Sequence, residues 1–183
     1  MSVVTLPPLI DPGTITGFDE NDTALAVVHA SAIARGYCGW HIAPTVDETL
    51  TLDGNGATVL PLPSLYVTAV SSVSFDDTAL EVDSYEWSAR GLLRRAAPGW
   101  EPCWRSIVVQ LTHGYAQTPD DVAAVVHSLA RQRLTNPDLV RQETIKSYSV
   151  TYSGVDSANS AAAALGTPAN SMILDRYRVF NAP

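Results

Sequence analysis

The apolar residues of this chain change their spacing twice, and that limits the possible folds more than any other feature. From Ala24 to Ile42 they recur every three or four residues, as on a helix. From Asp47 to Tyr115 they alternate in short runs broken by Gly, Pro, Asn and Asp. From Thr118 the helical spacing returns. Spacings of three to four and of two belong to different backbones, so a β region must interrupt two helices. The pattern predicts an α+β chain: a small antiparallel helical body, an inserted antiparallel β-sheet or barrel-like domain, and a C-terminal tail helix.

Asp19, Glu20, Asn21 and Asp22 place cap formers and acids where a helix exposes its N–H groups. Leu25, Val28, Ala32, Gly36 and Trp40 fall on one face, with His29, Ile33 and Tyr37 beside them, and this face is expected to turn inward. The many alanines let a second helix approach closely. Gly39 suits a left-handed cap, and Pro44 blocks continuation. Upstream, Pro7, Pro8 and Pro12 make residues 1–18 an extended arm. Its apolar content suits docking, on the arm's own body or on a neighbour.

The β region, residues 47–116, opens with Thr49–Leu52 and Thr58–Leu62 around Asp53-Gly54-Asn55-Gly56, a hairpin signal. Further short strands are expected at Leu65–Phe75, Leu80–Val82, Tyr85–Trp87, Gly91–Arg95 and Ile107–Leu111, with a turn at Asp76-Asp77-Thr78. Thr118-Pro119-Asp120-Asp121 then reads as a capping hydroxyl, a first-turn proline and two acids. Val122, Val125, Val126, Leu129 and Arg133 trace the predicted inner face of the following helix. Ile145 to Tyr152 alternates like an edge strand. The helical body therefore takes residues 19–46 and 117–152. Residues 153–183 read as an Ala/Ser linker and a short helix, Met172–Phe180, capped at Thr167-Pro168.

Composition excludes several functions. Only 16% of residues are charged and the net charge is −8, which argues against nucleic-acid binding by bulk electrostatics. No basic leader with an apolar run opens the sequence, and no run reaches membrane-spanning length. Cys38 and Cys103, without a CxxC pair, are expected to be buried thiols of a protein made in a reducing cytoplasm. His29, His41, His113 and His127 lack metal-ligand spacing. Asp76-Asp77 and Asp120-Asp121 are explained by turn and cap chemistry. The arginines interleaved with Trp87, Trp100 and Trp104 suit cross-strand pairs and cation–π contacts better than a nucleic-acid platform. No nucleophile elbow, phosphate loop or zinc motif is present in the sequence. Neither an enzyme nor a cofactor site is expected.

The order of these pieces carries a resemblance: RGYCGWHI at a helix end, then SVSFDD, SYEWSARGLLRR and SIVVQLTHGY, then TPDDVAAVVHSLA opening a helix. Together they resemble the head-to-tail connector, or adaptor, proteins of long-tailed bacteriophages (siphophages), especially those infecting actinobacteria. The likeness runs from about Asp19 to Tyr152. It implies a structural virion protein, assembled in the host cytoplasm, that forms a ring, usually dodecameric, beneath the portal protein. That ring receives the next neck protein (a stopper) and lines a passage for genomic DNA without reading its sequence. On this reading Met172, Leu174, Tyr177, Arg178 and Phe180 dock on the portal or an adjacent subunit, and Trp87, Trp100 and Trp104 make subunit or outer neck contacts. The alternatives are another neck or tail-completion protein of stopper or terminator type and, further off, a β-rich carbohydrate-binding or adhesion module.

Overall fold

A computed structural model describes residues 6–95, 97–136, 142–145, 148–151 and 165–179, the two four-residue segments as backbone only. Its three described helices and antiparallel sheets form the predicted α+β architecture. The chain separates into two compact units. One comprises residues 1–39 and 118–178, the other residues 40–117 and 179–183.

The first unit is helical. Helix α1 runs Glu20–Cys38, with the Asp19 carboxylate accepting from the Asn21 and Asp22 N–H groups and Gly39 closing it at φ 79°. Helix α2 runs Asp120–Thr135 and packs against α1. The helix α3, Pro168–Leu174, starts from Thr167, whose hydroxyl accepts from the Asn170 N–H, and continues into a 3-10 turn over Asp175–Tyr177. Strands β8 (Gln142–Ile145) and β9 (Tyr148–Thr151) pair antiparallel as a separate two-stranded sheet, where the sequence pattern indicated a single edge strand.

The arm docks on its own helices. The Leu9 N–H donates to Ser31 Oγ at 2.9 Å, Thr118 Oγ1 donates to the Leu9 carbonyl at 2.6 Å, and Arg35 donates to the Pro7 carbonyl at 2.8 Å. Thr118 therefore fastens the arm and does not cap α2, whose first turn begins after Pro119 with no side-chain cap. Arg133 is exposed and not on the inner face; Ala130 takes that place.

The second unit holds the strands β1 (Val46–Leu52), β2 (Val59–Pro61), β3 (Val67–Phe75), β4 (Thr78–Ala79), β5 (Glu86–Ser88), β6 (Leu92–Arg94) and β7 (Ile107–His113). They form an antiparallel four-stranded sheet, β1-β7-β3-β4, and a three-stranded sheet, β2-β6-β5. Alternate residues of β7, Ile107, Val109 and Leu111, face a core with Leu60, Leu62, Val67, Val73, Tyr85, Leu93 and Trp100.

The predicted hairpin at Asp53–Gly56 does not form, because β1 and β2 belong to different sheets. The glycines serve a different purpose. The Gly54 N–H donates to the Cys103 carbonyl and the Gly56 N–H to the Trp100 carbonyl, and a Cβ on Gly54 would lie 1.7 Å from the Glu101 oxygen. Close backbone approach, and not a two-residue turn, explains that Gly-rich stretch. The turn at Asp76-Asp77 is present, both residues at positive φ between β3 and β4, as the right-handed strand twist favours. Val82 lies in a 3-10 turn and not in a strand.

Candidate assembly surface

The most distinctive surface of the helical unit lies on α1. Its buried residues are Thr23, Ala26, Val27, Ala30, Ser31, Ala34 and Cys38, which are small apart from Val27. The larger apolar residues point the other way: Leu25 is 56% exposed, Val28 51% and Ile33 36%. With His29, Ala32 and Gly36 they make an exposed stripe at spacings of i, i+3, i+4, i+7, i+8 and i+11. The predicted orientation of this helix is therefore inverted.

Small residues win the inward face because they let α1 lie close to the valines of α2, and because Ser31 satisfies the Leu9 backbone. A helix at a water surface normally turns charges outward. Between Thr23 and Ala34, His29 is the one polar residue that α1 exposes. The stripe runs about 16 Å along the helix axis. Such a face suits a partner of similarly low polarity. A groove of about 390 Å³, lined by Asp11, Pro12, Gly13, Ile15, Phe18, Glu20, Thr23 and Ala24, opens beside the start of α1.

The tail helix is held by its own unit. Leu174 is fully buried, and its carbonyl accepts from the Cys38 thiol at 3.6 Å. Asp121 accepts from the Tyr177 hydroxyl at 2.8 Å and pairs with Arg176 at 2.5 Å. Asp175 accepts from the Tyr37 hydroxyl at 2.5 Å, which raises the tyrosine pKa, and the Arg178 guanidinium lies 5.2 Å from the Tyr37 ring centroid. Within one copy, Leu174 and Tyr177 thus face α1 and α2. Met172, 72% exposed, still faces outward. Phe180 lies outside the described residues, as does most of the expected linker.

The three tryptophans separate in the same way. Trp100 is fully buried, its indole N–H donating to the Leu93 carbonyl at 3.2 Å, so its side chain is a core element and not a contact. Arg95 lies 5.9 Å from the Trp100 ring centroid and 5.3 Å from that of Phe75, a cation–π arrangement. Trp87 (40% exposed) and Trp104 (87%) are available at the surface.

Two of the histidines and one thiol are held within the fold. His113 is buried, with Nε2 2.9 Å from the Glu48 carboxylate, and His41 Nε2 lies 2.9 Å from the Pro44 carbonyl. Burial pushes the Cys38 thiol up to about 12, whereas Cys103 is exposed and not buried as expected. Among the described residues no group of three or more His, Cys, Asp or Glu is placed to hold a metal ion, and no helix is long and apolar enough to cross a membrane.

Comparison with known proteins gives similarity in fold without similarity in sequence. No protein-family model and no curated protein matches the chain. Among solved structures it is similar to a chain in the neck of an empty GTA particle with C6 symmetry. The TM-score is 0.60 and the identity 15%, over 98% of this chain and 95% of that one. A chain in the virion of a native gene transfer agent (GTA) particle gives a TM-score of 0.55 at 17% identity, over 98% and 95%. A chain in the neck of a native GTA particle with C12 symmetry gives 0.51 at 16%, over 87% and 85%. At these identities the likeness establishes that this chain has the fold of proteins found in GTA particles.

Proposed function

We propose that this protein is a non-enzymatic structural subunit of a phage-like particle neck, a head-to-tail adaptor whose copies form a ring, twelve in number, between the portal and the next neck protein. The observation that carries the proposal is a fold likeness spanning 98% of this chain and 95% of a chain from a particle neck. The C6 and C12 symmetry of the neck reconstructions supports a ring. The uncharged stripe on α1 supports burial against a neighbouring copy. An excess of eight negative charges suits a conduit that must not hold DNA, because cationic walls would retain the phosphates.

Omitting the protein from particle production tests this function. Filled heads and finished tails that fail to join are the expected result. Complete, infectious particles lacking the chain would overturn it.

A further inference from the structure

Among the described residues, strand β1 lies at one edge of its sheet and pairs only with β7. Half of the backbone N–H and C=O groups in its seven residues therefore point away from any partner among the described residues. Proteins usually guard such an edge with lysine, proline, a bulge or a very short strand. The opposite edge, β4, has that protection, being two residues long. In contrast, β1 contains no lysine or proline, and its register with β7 is unbroken. Its two charges are turned to β7: Asp47 accepts from the Thr112 hydroxyl at 2.5 Å, and Glu48 accepts from His113. The remaining run, Thr49-Leu50-Thr51-Leu52, is an uncharged template for another strand.

The same chain carries a strand pair in need of such a template. Strands β8 and β9, four residues each, form a sheet with no third strand among the described residues. A lone two-stranded hairpin is marginal in water. We infer that β8 and β9 of one copy add to the β1 edge of the next copy, extending its four-stranded sheet to six.

Donor and acceptor are different surfaces, so the contact is heterologous, the kind of contact that builds a ring when the rotation between copies closes. Main-chain hydrogen bonds provide the affinity, which places few demands on sequence. The inference rests on the ring reading above and names one of the ring's contacts.

Hydrogen–deuterium exchange of the full chain over a concentration series tests it, alongside sedimentation for oligomer size. On assembly the amides of residues 46–52 should slow by at least about tenfold. Val150→Pro removes a backbone donor from β9, and should abolish that slowing while the amides of α1 and α2 keep their monomer protection. Assembled chains whose 46–52 amides still exchange as in the monomer would overturn the strand contact and leave the ring reading standing. Slowing that persists in Val150→Pro, with β8 and β9 unprotected, would also overturn the strand contact. A chain that remains monomeric at every concentration would overturn both readings.

Discussion

Replacing Val28 by aspartate separates a surface that waits for a partner from one that merely tolerates water. Val28 is 51% exposed, Leu25 56% and Ile33 36%. Burying a whole side chain of this kind is worth about 1.5–3 kcal/mol, so covering the exposed parts of these three contributes roughly 2.5 kcal/mol per contact. An aspartate at position 28 removes the valine's share and places a carboxylate in the covered seam, which costs a further 1–3 kcal/mol or so. The total is about 3 kcal/mol, or roughly a hundredfold weaker assembly. In the monomer the same residue stays in water, and a surface substitution of this kind changes stability by about 0.5 kcal/mol at most. Sedimentation velocity would measure assembly, and urea unfolding would measure the monomer. Val28→Asp should lower the first strongly and leave the second unchanged. Equal assembly by wild type and variant would show that the stripe is not buried between copies, and an unfolded variant would mean that the stripe packs internally.

On the opposite face of α1, Ala30→Leu should destabilise the monomer by about 1–3 kcal/mol in the same urea assay, because overpacking forces α1 and α2 apart. In the β unit, Trp100→Ala should cost about 3–5 kcal/mol and Trp104→Ala almost nothing, since the first is fully buried and the second 87% exposed. With a thiol reagent at neutral pH, native protein should react rapidly at the exposed Cys103 and slowly at Cys38, whose thiol stays protonated in the fold. The raised thiol also ties stability to pH. Below the ordinary thiol pKa of about 9 its contribution is constant; between about 9 and 12 the unfolded chain releases a proton that the folded chain keeps, so stability falls by up to about 1.4 kcal/mol per unit. Cys38→Ala should remove that part of the alkaline slope, as read from unfolding midpoints across the range.

The sequence shows the kind of each element more clearly than its direction or its partner. Both helices of the body, the Asp19 and Gly39 caps and most strands are legible because local spacing and turn chemistry determine them. The orientation of α1 is not. Nearly all its faces are apolar between Thr23 and Ala34, and periodicity alone favours turning Leu25 and Val28 inward. What decides is helix–helix distance, which depends on the size of the facing residues on α2 and on a hydrogen bond from the arm. The absence of charge on that stretch is the signal that a second apolar face had to remain outside. Strand partners are hidden for a similar reason: β1 and β2 are close in sequence but take their partners from β7 and β6, far along the chain. The tail segment shows its cap at Thr167 but not its destination, because Asp121, which holds Tyr177 and Arg176, also reads as an ordinary first-turn acid.

On the proposed function, copies of this chain meet in a ring with the α1 stripe covered. Electron cryomicroscopy of the assembled neck, at a resolution that shows side chains, measures this directly. The expected map is a closed ring in which Leu25, Val28 and Ile33 of each copy lie against the adjacent copy. A particle in which the chain occurs singly, or a ring in which that stripe faces open solvent, would contradict it.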